Sequence, residues 1–411
     1  MFKNYIKNYK GFPREIWILA LITFINRAGT MVVPFLSNYL KEDLEFSYAQ
    51  IGWVMVCFGV GSIVGTWLSG KLTDIFGFYK VMVFSLFASG LVFISLQNIR
   101  TFELFCFAIF MLTTIADMYR PAMMVSLNTY TAKDNRTRSL TLIRSAVNLG
   151  FLFGPAIGGF LIISAGYSYL FFIDAASCIA AILIFVIFVR EKKLPFKLKK
   201  QNFIKDKHKV FNDKPFLLHL IVTMITGILF FQIFTTFPLF YKEKFILSEF
   251  ECGLLLSFNG LLILLFELPI VSYVHRKGFN QLKLIILGIS CMVVSFLMLL
   301  IDWNYILVFM MLFMSLGVML TFPFASEFVM NRAHFKKGGL YMSVFTMSYS
   351  MAHIFSAKTG MLIIQYFGFE TNWIFMSILG VVGIFLGYRL LIISKREKLK
   401  KLQKLASAVF N

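Results

Sequence analysis

Acidic residues are scarce in this chain. Twenty Asp and Glu stand against 40 Lys and Arg, and charged residues of both signs make up only 15% of 411 residues. Soluble domains carry about a quarter charged residues, so an ordinary soluble fold is excluded. The five histidines (His208, His219, His275, His334 and His353) have no metal-ligand spacing, and no metal site is expected. The five cysteines (Cys57, Cys106, Cys178, Cys252 and Cys291) all fall inside apolar runs and read as small buried residues, not a disulfide framework. There is no phosphate-cradling Gly-Lys-Ser/Thr loop, no nucleophile elbow and no soluble stretch sizeable enough for catalysis. An enzyme and an ATP-driven pump are therefore disfavoured, and no cofactor is expected. "GVGSIVG" at Gly59–Gly65 follows no strand and reads as packing glycine within an apolar run.

Apolar residues dominate instead: 59% of the chain, with a mean hydropathy of +0.78. They come in runs of about 20 residues, the length that crosses a bilayer core of ~30 Å. The pattern predicts an all-α integral membrane protein with twelve transmembrane helices in two pseudo-symmetric six-helix bundles. The spans are read at 15–40, 48–69, 80–97, 103–130, 138–163, 167–189, 215–241, 250–273, 282–301, 304–329, 339–366 and 371–393. The first run is too long for a signal-peptide core and is taken as a retained span. A multi-pass protein of a bacterial cell membrane (the cytoplasmic or inner membrane) is expected, and a monomer.

Basic residues cluster on alternate loops. Lys3, Lys7, Lys10 and Arg14 precede span 1; Lys133, Arg136 and Arg138 follow span 4; Arg276, Lys277 and Lys283 follow span 8; Arg332, Lys336 and Lys337 follow span 10. The opposite loops carry Glu42, Asp43, Glu45, Glu249, Glu251, Asp302 and Glu370. The cytoplasmic bias of Lys and Arg places both termini in the cytoplasm. The formal net charge of +20 is thus a topology signal, and no nucleic-acid partner is expected. The basic stretch 190–214 divides the chain into an N-terminal bundle (1–189) and a C-terminal bundle (215–394). A basic tail (395–411) follows, suited to an amphipathic helix at the membrane surface.

Between spans 2 and 3 the chain reads "GKLTDIFGFYK", with Gly70, Asp74, Gly77 and Lys80; "LPIVSYVHRKGFNQL", with His275, Arg276 and Gly278, is a worn copy after span 8. Span 5 carries Gly150, Gly154, Pro155, Gly158 and Gly159, and span 4 carries "DMYRP" with Arg120. These segments resemble the loop signature, the antiporter motif and the exporter arginine of the major facilitator superfamily, closest to its drug/proton antiporter-like branch. Ile75, Phe78 and Tyr79 replace basic residues of the loop signature. The resemblance implies secondary active transport of a small molecule, driven by a proton gradient, with protons and the lipid bilayer as further partners.

Gly150, Gly154 and Gly158 recur every four residues and form a smooth face. Gly154 lies ~24 Å from the cytoplasmic end of span 5 at ~1.5 Å per residue, in the outer half. The expectation is that this face presses against Gly253, Ser257 and Gly260 of span 8 and seals the extracellular side; tight packing inside one half is the plain alternative. Asp74 is expected either to hold the start of span 11 at Gly338 and Gly339 or simply to cap its own helix.

Ionisable groups inside spans are costly and mark function or pairing. Arg27 lies ~18 Å along span 1 and, with Asn26, is the leading substrate-site candidate; a structural ion pair is the alternative. Gln232, Asn259, His353 and Lys358 are further substrate-binding candidates, with interhelical hydrogen bonding as the alternative for the amides. Asp117 and Arg120, three apart on span 4, share a helical face, and Arg144 sits at similar depth. These three, with Glu267, are the proton-coupling candidates. Four acids (Asp117, Asp174, Glu267, Glu327) balance four bases (Arg27, Arg120, Arg144, Lys358), so the total gives no substrate charge. Span 1 lacks the acid that many drug exporters of the resembled branch use. The favoured reading is proton-coupled export of a small amphipathic molecule by antiport. Alternatives are uptake, or lipid or anion translocation by the same fold, and a non-transporting membrane receptor.

Overall fold

The computed structural model describes residues 12–131, 136–192, 212–303, 305–332 and 338–409, and every regular element among the described residues is a helix. Eleven helical segments are long and apolar enough to cross a membrane, the last being Tyr341–Glu397 with 57 residues. That last segment is two crossings. Gly368 within it has φ 82° and ψ 174°, a conformation outside any helix that glycine alone holds without strain. The twelve expected apolar crossings are therefore present. The helix of span 12 runs on without a break through the tail to Val409. The basic stretch expected as a linker lies mostly outside the described residues.

Three crossings are broken near their middles or ends, each at a proline. Span 1 is Arg14–Ala28 followed by Val32–Glu42, with Pro34 in the first turn of the second piece. Pro lacks an N–H, and the first turn is where a helix tolerates that loss. The freed donors at the break are satisfied by a carboxylate from span 6 (Ser168–Phe188). Met31 N–H donates to Asp174 Oδ1 at 2.8 Å, and Val32 N–H donates to Oδ2 at 3.1 Å. A buried carboxylate on a helix N-terminus is favoured by both the hydrogen bonds and the helix dipole.

Span 4 is Phe102–Ala116 followed by Tyr119–Tyr130, so Asp117 and Arg120 do not share one continuous helix as the sequence spacing suggested. Pro121 cannot donate to the carbonyl of Asp117, and the chain turns there. Serine hydroxyls from the neighbouring spans take over the exposed carbonyls. Ser85 Oγ donates to Ile115 O at 2.6 Å, and Ser69 Oγ donates to Met118 O at 2.6 Å. Span 2 (Tyr48–Phe76) approaches span 4 through Gly61 and Gly65, where a Cβ would strike Thr113 and the Thr114 carbonyl. Gly61 and Gly65 of "GVGSIVG" are packing residues. Span 7 is Lys214–Thr235 followed by Phe237–Phe245, with Pro238 at the restart.

The chain forms two compact units. The first holds spans 1–6 (residues up to 197) together with 232–264 and 357–366, which are the end of span 7, the start of span 8 and the end of span 11. The second holds the remaining parts of spans 7, 8 and 11 with spans 9, 10 and 12. Within it, Gly288 of span 9 meets the Gly317 carbonyl of span 10. Arg332 at the end of span 10 bonds Asp213 before span 7 (Nε–Oδ2 2.7 Å) and Glu397 beyond span 12 (3.0 Å). Burial opposes ionisation of Asp213, but the Arg332 guanidinium outweighs it and holds the carboxyl below its ordinary range.

The Asp174 bonds generate a prediction. Asp174→Ala leaves the Val32 N–H without its acceptor and the Met31 N–H with the Gly29 carbonyl alone (2.8 Å), and should lower stability by about 1–3 kcal/mol. Thermal unfolding of the purified protein in detergent measures it, and Asp174→Asn, which keeps one acceptor, should fall between.

Candidate functional site

Spans 1, 4, 5 and 6 of the first unit surround one charged group. Arg27 ends the first helix of span 1, just before the break. It keeps intermediate accessibility. Within its electrostatic reach lie Arg120, Asp117, Tyr119 and Cys178. Asn26 Nδ2 donates weakly to Cys178 Sγ at 3.6 Å, and the Tyr119 hydroxyl lies 3.5 Å from Thr23 Oγ1. The sequence candidates Arg27, Asp117 and Arg120 are thus brought together, with Asn26 beside them. Tyr119 and Cys178 were missed because, as apolar-looking residues inside hydrophobic runs, they carry no sequence signal. Arg144 is exposed on span 5.

Both oxygens of Asp174 accept from backbone amides of span 1. Lys358 lies with its ammonium 4.0 Å from the ring centroid of Trp53, itself 51% exposed. Such a cation–π contact satisfies the charge away from any acid. Gln232 accepts a hydrogen bond from Thr236 Oγ1 at 2.5 Å across the break of span 7. Asn259 is buried on span 8 in the first unit, whereas Glu267, also buried, belongs to the second. His353 of the second unit packs edge-on against Phe231, with ring centroids 4.7 Å apart.

The glycines of span 5 (Arg136–Ala165) serve two partners. A Cβ on Gly150 would meet Ala28 N at 2.9 Å, on Gly154 the Ala28 carbonyl at 3.0 Å, and on Gly158 Met31 Cβ at 3.2 Å. The four-residue face expected to meet span 8 (Glu249–Lys277) therefore packs on span 1, where the helix is broken and Arg27 emerges. Span 8 lies along the adjacent face. Gly260 sits 3.0 Å, by its would-be Cβ, from Leu152 N; Gly253 abuts the Pro155 carbonyl; and Gly159 abuts the Glu249 carbonyl. Ala156 N–H donates to Ser257 Oγ at 3.0 Å. The expected span 8 residues do form the seam, but against 151–156 and Gly159. The reason for the error is geometric. A helix of 3.6 residues per turn turns Gly159 about 100° from Gly158, so the double glycine presents one residue to each neighbour.

A related seam joins spans 2 and 11. Gly52 faces Met361 and Lys358, and Ala49 N–H donates to Gln365 Oε1 at 2.6 Å. The two seams begin alike. Ser47 and Gln50 form a capping box at the start of span 2, and Ser248 and Glu251 make the same pair of bonds at the start of span 8. Glu45 and Ile246, the only non-glycine residues with positive φ among those described, have φ 55° and 54° and lie 201 residues apart. Lys41 and Lys242, Ser47 and Ser248, and Gly52 and Gly253 keep that same spacing of 201. This repeat was legible in the sequence and is more specific than the worn loop motif.

Charged groups gather at these helix starts. Lys242 bridges Glu42, at 2.6 Å, and Glu249. The Tyr167 hydroxyl lies 3.0 Å from each of the same two carboxylates, and its single proton serves one at a time. Tyr48 donates to Glu243 Oε2 at 2.6 Å. Burial alone would weaken protonation of Lys242, but its bonds to Glu249 and Glu42 outweigh that and raise its pKa. By contrast Asp74, Gly70 and Lys80 are exposed, and a Cβ at Gly70 or Gly77 would meet nothing within 4 Å. The surroundings of Gly338 and Gly339, the expected partner of Asp74, lie outside the described residues. His275 Nε2 lies 3.6 Å from Glu327 Oε2.

Two outcomes follow. Gly253→Leu should cost about 1–3 kcal/mol by overpacking, whereas Gly70→Ala should leave the melting temperature unchanged; paired thermal unfolding curves compare them. The Lys242 contribution, read as wild type minus Lys242→Met, should hold steady up to the ordinary lysine pKa of ~10.4. It should be lost only as pH rises further, through the raised folded-state value.

The family model of the Major Facilitator Superfamily matches residues 16–357. A Na(+), Li(+), K(+)/H(+) antiporter of Planococcus maritimus is 22% identical, over 89% of this chain and 92% of that protein. The quinolone resistance protein NorA of Staphylococcus aureus (strain MSSA476) is 24% identical, over 79% of this chain and 84% of its own. The crystal structure of a POT family transporter in complex with 5-aminolevulinic acid superposes with a TM-score of 0.79 at 16% identity, covering 94% of this chain and 97% of that one. A match across most of the apolar crossings, on an all-helical chain whose two seams repeat at one spacing, leaves one family: this chain belongs to the Major Facilitator Superfamily.

Proposed function

We propose that the protein is a proton-coupled secondary transporter that exports a small amphipathic molecule by antiport. In this reading two pseudo-symmetric six-helix bundles, with both termini cytoplasmic, rock about a central site. The observation that carries it is the pair of seams built on Gly52 and Gly253 at equivalent positions. Glycine seams bring backbones into contact without interlocking side chains, and such surfaces part and re-form with little repacking. The seams and the Lys242 bridges lie where charge bias places the outer side, which supports an outer gate held shut. The names of the relatives, a resistance protein and a cation/proton antiporter, support export and proton exchange. Asp117 lies within electrostatic reach of Arg27 and is the proposed proton carrier.

A second reading, uptake by co-transport, is favoured by one observation: a second arginine, Arg120, and one carboxylate, Asp117, lie within electrostatic reach of Arg27. Everted membrane vesicles decide between the two. Under export, an imposed inward-acid gradient drives accumulation of an effluxed compound, and compound addition dissipates the gradient. Asp117→Asn should abolish the pH dependence of flux while leaving expression intact. Unchanged pH dependence would remove Asp117 as carrier, and no flux under any gradient would remove transport itself.

A further inference from the structure

We infer that Cys57 and Cys106 form a paired-thiol site for a lipid-soluble soft electrophile, one whose central atom takes two sulfurs at once, as trivalent organic arsenic does. The site lies on the seam of spans 2 and 4 and is independent of the transport reading. Cysteines inside apolar runs read as small buried residues, but these two are only half-buried.

The register of the two helices places them together. Spans 2 and 4 pack as a ladder with a rung every four residues, the spacing that returns to one helical face. A Cβ on Gly61 would lie 2.6 Å from the Phe110 carbonyl oxygen, a Cβ on Gly65 would strike the Thr114 carbonyl, and Ser69 Oγ donates to Met118 O at 2.6 Å. Each rung joins residues 49 apart in the chain, and the next rung toward the helix starts is Cys57 with Cys106. The two thiols are hydrogen-bonded to one another. Glycine rungs let the backbones approach closely, and sulfurs in hydrogen-bond contact stand at a distance that one large atom can bridge.

The surroundings select the ligand. Trp53 and Val60 stand one turn either side of Cys57, and Leu104 and Phe107 flank Cys106; all four are exposed apolar side chains. A reagent therefore reaches the pair through hydrocarbon, which admits neutral molecules and excludes hydrated ions. Thiol sulfur is a soft ligand and favours soft acceptors. The product must also be uncharged, since an isolated charge is costly in apolar surroundings. An arylarsine oxide meets each condition. Two S–H bonds break and two As–S bonds form, and both protons leave with the arsenic-bound oxygen as water. No atom changes oxidation state, so no oxidant or reductant is needed. The arsenic then staples span 2 to span 4, one turn from Gly61.

The test incubates the full-length protein, in nanodiscs of phosphatidylcholine, with phenylarsine oxide. Peptide mapping by mass spectrometry should find a single phenylarsenic joining the peptide of Cys57 to that of Cys106. Excess 2-mercaptoethanol should leave it in place and 2,3-dimercaptopropanol should remove it, because only a linked pair of sulfurs competes with a held pair. Cys57→Ala and Cys106→Ala should each weaken retention about a hundredfold or more, whereas Cys291→Ala should match the wild type. The mapping and the thiol competition use wild-type protein, so they stand even where a variant folds poorly. No adduct, arsenic joined to another cysteine, release by the monothiol, or equal retention by the wild type and both variants overturns the site.

Discussion

Two hydrogen bonds from a broken helix to one buried carboxylate organise the candidate site. Span 1 cannot run straight through Gly29, Thr30 and Met31, and its restart leaves backbone donors deep in apolar surroundings, where water is absent. Asp174 accepts from both Met31 and Val32 N–H. The break then sets the direction in which Arg27 leaves the helix, and the glycines of span 5 fit against the backbone on either side of it. Span 5 in turn carries the seam with span 8 on its neighbouring face. Cap, cation and seam form one mechanical chain.

The repeat gives that chain its symmetry. Left-handed residues, capping boxes and seam glycines recur 201 residues apart, so one helix-start design serves both spans 2 and 8. What differs is the chemistry placed on the design. Lys41 of the first copy lies over the Tyr48 ring, whereas Lys242 of the second bridges two carboxylates. The geometry recurs in both copies, and a charged clasp forms on Lys242 of the second.

Much of the fold was legible because the membrane enforces it. A backbone in lipid must satisfy its own hydrogen bonds, so long apolar runs become helices and basic loops mark one side. The positions of Arg27, Asp117 and Arg120 were legible as charges out of place. The break in span 4 was also written in the chain, as Pro121, but spacing alone was read as one continuous face. The serine hydroxyls that stabilise that break come from Ser69 and Ser85, on other spans, and no local pattern announces them.

The sequence by itself determined the class of molecule, the number of apolar crossings and which residues are too costly to be idle in lipid. These follow from hydropathy and helix length, which are local quantities. Only the tertiary structure decided which neighbour each span 5 glycine meets, that both Asp174 oxygens accept from backbone amides of span 1, and that Arg120 and Asp117 come within reach of Arg27. A glycine face accepts any helix that approaches it, and a buried charge is neutral or unpaired only by virtue of groups far away in the chain. Both are properties of the packing, and no count along the sequence contains them.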